Sequence, residues 1–267
     1  MNLDVIPEHV QARVQKRLSE IEREKNVEIL HAIESGSRAW GFASTDSDYD
    51  VRFIYRHQRD WYLNVLPRRD VIEYAIVDEM DYAGWDLRKA LFLMNKSNPV
   101  LYEWLRSPIL YRSRTDVVTH LQAVARGYFS PKAATYHYLS MARNNYREYL
   151  KKERVKVKKY FYVLRPLLAC GWIEAERSPP PMIFADLLDA LVPPGPLRTA
   201  VEELLERKRA GVELGEEPQV PVLNAFIEER IEYFMDVAST YDPREKPSAE
   251  TLNQALVEIL GAEYRGG

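Results

Sequence analysis

The stretch GSRAWGFASTDSDYDV, residues 36–51, decides the fold. It follows a segment, residues 27–33, whose β-branched side chains and length are typical of a buried strand. It runs into residues 48–55, which alternate like a second strand. A glycine-serine turn therefore lies between two predicted strands, and the paired aspartates lie at the start of the second.

The chemistry of this stretch points to a phosphate and a metal ion. Glycine has no Cβ, so the backbone at Gly36 can approach a ligand closely, while free N–H groups and the Ser37 hydroxyl can bind phosphate oxygens. Asp48 and Asp50 are two residues apart on a predicted strand, so their carboxylates share one face. A hard divalent cation relieves the repulsion between two such carboxylates. Taken alone, paired aspartates more often mark a solvated turn, and Asp46 shares the same alternation.

Further predicted elements extend this core up to about residue 112. An amphipathic helix is expected over residues 8–25 and a third strand over 71–77. Residues 80–85 either continue that strand or form a fourth. Helices are expected at 87–96 and 99–106.

The second half of the chain has long helical patterns and almost no strand signal. Predicted helices cover residues 114–126, 131–152, 155–172, 197–210, 220–239 and 248–260. Proline clusters at 179–181 and 193–196 interrupt this half and mark turns or a substrate-facing loop. We therefore predict a catalytic domain over residues 1–112 and a helical C-terminal domain over 113–267.

Composition excludes several classes of protein. The chain has 267 residues, 46% of them hydrophobic and 29% charged, and a formal net charge of −3. Its single cysteine, Cys170, excludes an internal disulfide and a cysteine-rich zinc site. No apolar run approaches the roughly 20 residues of a membrane span, and no signal-peptide pattern is present, so the expected location is the cytoplasm and no membrane partner is expected.

Gly36-Ser37, then ten residues, then Asp48-Tyr49-Asp50 entering a strand resembles the signature of the DNA polymerase β superfamily of nucleotidyltransferases. More narrowly, the chain is similar to predicted nucleotidyltransferases associated with RNA ligases and RNA repair. That similarity extends through residues 84–89, 96–99 and 103–105, and more weakly through 158–165. It implies an α+β fold, in which a polymerase β-like palm domain with a mixed sheet precedes a helical domain.

The resemblance also implies a mechanism with two ions, Mg²⁺ or Mn²⁺, at Asp48 and Asp50. Such a site takes a third carboxylate from a neighbouring strand, and Asp81 is favoured because residues 81–85 are typical of a strand entering the helix at 87. Spacing leaves three other candidates open: Asp78, Glu79 and Asp86. Asp86 directly precedes a helix, where an aspartate is a natural N-cap.

Four residues are the candidates for nucleotide binding: Gly36, Ser37, Arg38 and Lys89. Ser37 would bind a phosphate, although a simple turn hydroxyl is the alternative. Arg38 would reach a phosphate or face solvent. Lys89 would contact the triphosphate or stay an exposed helix residue.

The segment Arg143–Arg165 suggests the acceptor of the nucleotide. It contains nine Lys or Arg residues and two Glu, and tyrosines interleave with the charges. Basic residues with aromatics suit RNA or another nucleic acid, whereas a solvated helix pair with inward tyrosines is the simpler interpretation. Part of the segment could instead bind the NTP. A protein acceptor, a small-molecule acceptor and a catalytically silent binding module remain alternatives.

Overall fold

The computed structural model describes residues 6–210, 216–242 and 245–264, so the outermost residues of both predicted domains, 1–5 and 265–267, lie outside it. The strands are β1 Glu28–Glu34, β2 Tyr49–Arg56, β3 Val71–Glu73, β4 Met80–Asp86, β5 Leu110–Ser113, β6 Arg154–Lys156 and β7 Glu216–Pro218. The helices are α1 Glu8–Lys25, α2 Gly36–Ala39, α3 Leu87–Asn95, α4 Pro99–Trp104, α5 Thr115–Tyr128, α6 Pro131–Asn145, α7 Lys159–Glu176, α8 Phe184–Leu191, α9 Pro196–Arg209, α10 Pro221–Thr240 and α11 Ala249–Gly261.

A five-stranded sheet in the order β3-β4-β2-β1-β5 organises the first half of the chain. Strands β2 and β4 run parallel, whereas the other neighbouring pairs are antiparallel. The predicted mixed sheet and α+β class are thereby confirmed. The parallel pair matters most for the site, because it puts the beginnings of β2 and β4 at the same edge of the sheet.

The third predicted strand is shorter than the sequence suggests. Hydrogen-bonded strand β3 ends at Glu73, and the chain then turns back through Asp78 and Glu79, both of which have positive φ angles. The fourth strand, left open by the sequence, is β4. The β-forming residues 74–77 lie in the hairpin between the two strands, so β propensity alone overestimated the length.

One face of the sheet is covered by α1. Its apolar residues Val10, Val14, Leu18 and Ile21 recur at helical spacing and are all buried in the core that includes β1 and β2. All seven residues of β1 are buried. Each fully buried aliphatic side chain stabilises the fold by about 1.5–3 kcal/mol. The start of β2 is therefore held on a rigid platform.

The chain divides into two compact units. The first comprises residues 1–39, 47–128 and 246–267, and the second comprises 40–46 and 129–245. These limits differ from the predicted boundary at residue 112, because α5 packs on β1 and α3, and α11 returns to pack on α3 and α5. A sequence pattern of consecutive helices carries no information about such a return.

The second unit is built around α6, α7 and α10, which pack on one another. The predicted helix 131–152 leaves α geometry at Asn145 and continues as a π-helical turn, Tyr146–Leu150. The predicted helix 155–172 begins later, at Lys159, because residues 154–156 pair with β7 as a two-stranded sheet. Helix α8 was not predicted. Within the described ranges, no helix combines the length and apolar character needed to cross a membrane.

Arg56 at the end of β2 tests how strongly α11 is anchored. Its guanidinium lies 2.7 Å from Glu28 and also donates to the carbonyl oxygens of Ile259, Ala262 and Glu263, and both charged side chains are almost fully buried. Arg56→Ala removes one of the two guanidinium partners of Glu28, the other being Arg114, and the donor to three carbonyl oxygens of the C-terminal segment. We therefore expect the free energy of unfolding to fall by about 3 kcal/mol in urea denaturation.

The matched control for this loss is Arg69→Ala. Arg69 pairs with Glu73 at an exposed position, so its removal should cost less than about 1 kcal/mol. Equal losses in the two variants would contradict the anchoring role of Arg56.

Candidate active site

Asp50 and Asp81 lie side by side on the two parallel strands. The strand register pairs Asp50 with Asp81 directly. Each carboxylate lies 2.7 Å from the same guanidinium nitrogen of Arg52, Nη2, and about a quarter of each acidic side chain is exposed. The structure thus brings together two of the predicted carboxylates, around a positive group that the sequence analysis did not anticipate.

The glycine-serine turn packs directly on Asp50. Gly36 has a φ of 58°, in the left-handed region, and a Cβ at that position would lie 1.8 Å from the Asp50 Oδ2 atom. The Ser35 N–H also donates to the Asp50 carbonyl. A glycine is therefore required both by the backbone conformation and by the contact with the carboxylate.

Glu34, at the end of β1, holds the backbone of Asp50 in place. It is fully buried, accepts the backbone N–H of Asp50 at 2.9 Å, and accepts the Tyr111 hydroxyl at 2.7 Å. Burial raises the pKa of Glu34 to about 7 despite these hydrogen bonds. Sequence reasoning missed Glu34, because its partners Asp50 and Tyr111 depend on the strand order, which no local signal in the sequence reveals.

The electrostatics of Asp50 reflect its burial first and then the charges around it. Burial raises the pKa of Asp50 above its ordinary value, and Arg52 opposes this shift. The nearby charges of Asp81 and Asp48 raise the pKa further. Asp50 therefore lies where additional positive charge would be stabilising.

Asp48 is exposed and lies one residue before β2. In the part of the chain that the structure describes, no three acidic, histidine or cysteine side chains converge closely enough to form a metal cluster. Asp48 and Asp81 thus lie close enough to Asp50 to influence its pKa, but the three described carboxylates do not form a preformed metal cage. Their assignment as metal ligands stays a prediction.

The other candidates for a third carboxylate occupy different places. Asp86 is the N-cap of α3, accepts the Arg88 N–H at 2.8 Å and is buried, so the N-cap role predicted from the sequence is confirmed. Asp78 and Glu79 form the turn before β4, and Asp78 pairs with Arg13 at the surface. Asp81 is therefore the candidate that lies beside Asp50.

The predicted nucleotide-binding residues divide into two groups. Ser37 lies in α2 next to Gly36 and is partly exposed. Arg38 is buried, where it donates to the carbonyl oxygens of Ser47 and Asp48 and lies over the Tyr49 ring. This geometry makes Arg38 a support for the loop that carries Asp48 rather than a solvent-facing side chain.

Lys89 is not brought to the carboxylates. It follows the far end of β4 and pairs with Asp70 at 3.1 Å. Asp81 is near the beginning of that strand, five residues before Asp86, a distance of about 16 Å along an extended strand. The helix predicted from residues 87–96 is α3, and the nucleotide contact predicted for Lys89 stays a prediction.

The basic segment Arg143–Arg165, in the second unit, has both buried and exposed parts. Its buried aromatic and basic residues are Tyr146, Tyr160, Phe161 and Arg165. Its exposed members are Arg143, Arg147, Lys151, Lys152, Arg154, Lys156, Lys158 and Tyr162. The ammonium of Lys159 lies over the rings of Tyr149 and Tyr162 at 4.1 and 4.9 Å. The exposed residues of the segment therefore form a basic surface that includes aromatic rings.

Comparison with known proteins gives three findings. A model described as "RlaP: RNA repair pathway DNA polymerase beta family" matches residues 10–258. The chain is 46% identical, over 255 residues, to the uncharacterized protein YcgL of Bacillus subtilis (strain 168), covering 96% of this chain and 98% of that protein. A solved nucleotidyltransferase-like protein from Exiguobacterium sibiricum 255-15 is 12% identical and covers 94% of this chain and 88% of its own, with a TM-score of 0.29, too low to carry a structural argument.

Gly36→Ala tests the contact between the turn and Asp50. The left-handed backbone alone should cost about 1–2 kcal/mol, and displacement of the carboxylate adds to that. In an Asp50→Ala background the second contribution disappears, so the cost of Gly36→Ala should be smaller there. Urea denaturation of the four proteins in this double-mutant cycle measures the difference.

Gly261→Ala is the matched control, because nothing lies within 4 Å of a Cβ at that position. Its effect should stay within about 0.5 kcal/mol. A cost of Gly36→Ala that is the same with and without the Asp50 carboxylate would refute the packing argument.

Proposed function

The chain belongs to the RNA repair pathway DNA polymerase beta family, and from that membership we propose that it is a metal-dependent nucleotidyltransferase. It would move a nucleoside monophosphate from an NTP to an acceptor hydroxyl and release pyrophosphate. The family resemblance inferred from the Gly36-Ser37 and Asp48-Tyr49-Asp50 pattern is confirmed. The reaction itself is our proposal.

One observation carries it: the glycine-serine turn and the Asp50 carboxylate are in contact, with Asp81 beside them. The missing Cβ of Gly36 leaves room only for the carboxylate oxygen. The parallel register adds Asp81 to the same place. A phosphate-binding turn placed against paired carboxylates is the arrangement that an NTP bound with divalent cations requires.

The chemical character of the donors fits Mg²⁺ or Mn²⁺. Asp48, Asp50 and Asp81 supply only hard carboxylate oxygens, and two of them already converge on one cationic group. Bound there, two divalent cations would supply activation of the acceptor hydroxyl and neutralisation of the leaving pyrophosphate.

The chain's own residues have defined parts in this proposal. Ser37 would donate its hydroxyl to a phosphate oxygen of the NTP. Glu34 fixes the Asp50 backbone, and Arg38 fixes the loop that ends in Asp48. In the transfer, the bond from the acceptor oxygen to the α-phosphorus would form while the bond to pyrophosphate breaks, and the hydroxyl proton would pass to solvent.

We propose RNA as the acceptor, supported by the exposed part of the segment Arg143–Arg165. Seven exposed Lys or Arg residues give this surface a strong attraction for phosphates. The partly buried ring of Tyr149 and the exposed ring of Tyr162 lie beside the charges and offer faces on which unpaired bases stack. An RNA end in a repair reaction is consistent with the family description.

Asp50→Asn tests the reaction. The protein is incubated with Mg²⁺ or Mn²⁺, each α-labelled NTP in turn and a mixed RNA pool, and label is followed into both RNA and protein. We expect label in RNA with the wild type and at least a hundredfold loss in Asp50→Asn, on the order of the effect of removing one essential electrostatic group. Asp48→Asn should behave in the same way.

The matched control is Asp78→Asn, which removes an exposed carboxylate from the turn before β4 and should leave labelling unchanged. Label in protein instead of RNA would show that the acceptor is a protein. Undiminished labelling in Asp50→Asn would refute the site, and absence of NTP and metal binding in the wild type would refute the enzyme.

RNA binding gives a second test. We expect Lys152→Ala/Lys156→Ala to reduce the slope of log affinity against log salt by about 1.4, because each phosphate contact on a single strand contributes about 0.7. Tyr162→Ala should weaken binding by about 1–3 kcal/mol through lost stacking. Fluorescence anisotropy with single-stranded RNA measures both.

The control for this experiment is Arg23→Ala, an exposed position on α1 outside the basic segment. It should change neither the affinity nor the salt slope. Equal effects of Arg23→Ala and the segment variants would show non-specific attraction and contradict the assignment of the RNA surface.

A further inference from the structure

We propose that Arg52 is an internal counter-cation that holds Asp50 and Asp81 together until a divalent metal displaces it. The inference rests on the proposed function, because it concerns the carboxylates assigned there to metal binding. It adds a positioning residue that controls access to them.

The guanidinium is held at a defined place. Nη2 donates to Asp50 Oδ1 and to Asp81 Oδ2, each at 2.7 Å. Nη1 donates to the backbone carbonyls of Asp81 at 3.0 Å and Val51 at 3.3 Å. The Arg52 side chain is only 18% exposed. Such a set of acceptors distinguishes Arg52 from a mobile surface ion pair.

The same contacts place Arg52 in competition with a metal ion. Asp50 offers two oxygens; Oδ2 faces the Gly36 turn and Oδ1 accepts from Arg52. A cation bound by Asp50 Oδ1 and Asp81 Oδ2 would need the oxygens that the guanidinium now uses. A bound divalent cation and a guanidinium in this position would also repel each other. Metal binding at those two oxygens therefore requires that Arg52 move.

Arg52 also offsets the repulsion between the two carboxylates. One guanidinium nitrogen donates to both Asp50 and Asp81, at 2.7 Å each. Without that positive charge, two carboxylates placed side by side would repel each other. The arginine thus orients both carboxylates, at the expense of metal affinity.

The first experiment measures binding of Mn²⁺ alone by electron paramagnetic resonance of the free ion. Wild type, Arg52→Ala and Arg52→Gln are compared, with Arg69→Ala as a control that removes an exposed positive charge from the same unit. We expect about tenfold tighter binding in both Arg52 variants, corresponding to the loss of a competing charge-assisted interaction. Arg69→Ala should match the wild type.

Thermal unfolding supplies a readout that is independent of activity. Both Arg52 variants should have a lower Tm than the wild type without metal, because the carboxylates then repel each other. Mn²⁺ should raise their Tm by more than it raises that of the wild type, as tighter binding to the folded state requires.

A second experiment needs no variant and thus no assumption that one folds. Modification of arginines by phenylglyoxal is followed by mass spectrometry in the wild type with and without Mn²⁺. Arg52 should become several-fold more reactive when Mn²⁺ binds, because the guanidinium leaves its acceptors, whereas Arg69 should not change.

The outcomes separate this inference from the proposed function. Mn²⁺ binding that is lost in Asp50→Asn/Asp81→Asn but is equal or weaker in the Arg52 variants would overturn the role of Arg52 and leave the metal site intact. Unchanged Arg52 reactivity on Mn²⁺ binding would overturn it as well. Failure of both the wild type and the Arg52 variants to bind Mn²⁺ would overturn the proposed metal site and this inference together.

Discussion

The repulsion between two carboxylates on adjacent parallel strands is the constraint on which the candidate site depends. Parallel pairing of β2 with β4 puts Asp50 opposite Asp81 at one edge of the sheet. The guanidinium of Arg52 lies between the two carboxylates, and Gly36 packs against the second oxygen of Asp50, Oδ2. In the proposed reaction a divalent cation would neutralise the same two carboxylates, because carboxylate oxygens are preferred ligands of hard cations.

The surrounding fold keeps this edge in place. Buried Glu34 ties the end of β1 to Asp50, while Tyr111 on β5 donates to Glu34. Three strands of the sheet therefore contribute to the position of one carboxylate. Helix α1 packs its apolar stripe on the sheet, and this buried core keeps the side chains at the edge of the sheet in fixed positions. The charged candidate site therefore lies at the edge of a buried apolar core.

Local patterns in the sequence predicted the parts of this arrangement that are close along the chain. Helix α1 and the N-cap at Asp86 follow from periodicity and capping, and Gly36 follows from its turn. Arg52 and Glu34 could not be predicted, since their partners depend on strand order and on the parallel register, which sequence separation does not reveal. The return of residues 246–264 to the first unit and the place of Lys89 were missed for the same reason: both depend on tertiary packing.

A crystal structure with Mn²⁺ and a non-hydrolysable NTP analogue tests the central claim most directly, since anomalous scattering locates the metal without reference to activity. The account predicts a Mn²⁺ peak between the carboxylates of Asp50 and Asp81, with the guanidinium of Arg52 moved away and a phosphate oxygen hydrogen-bonded to Ser37. A nucleotide bound with its metal elsewhere, while Arg52 still joins the two aspartates, would contradict it.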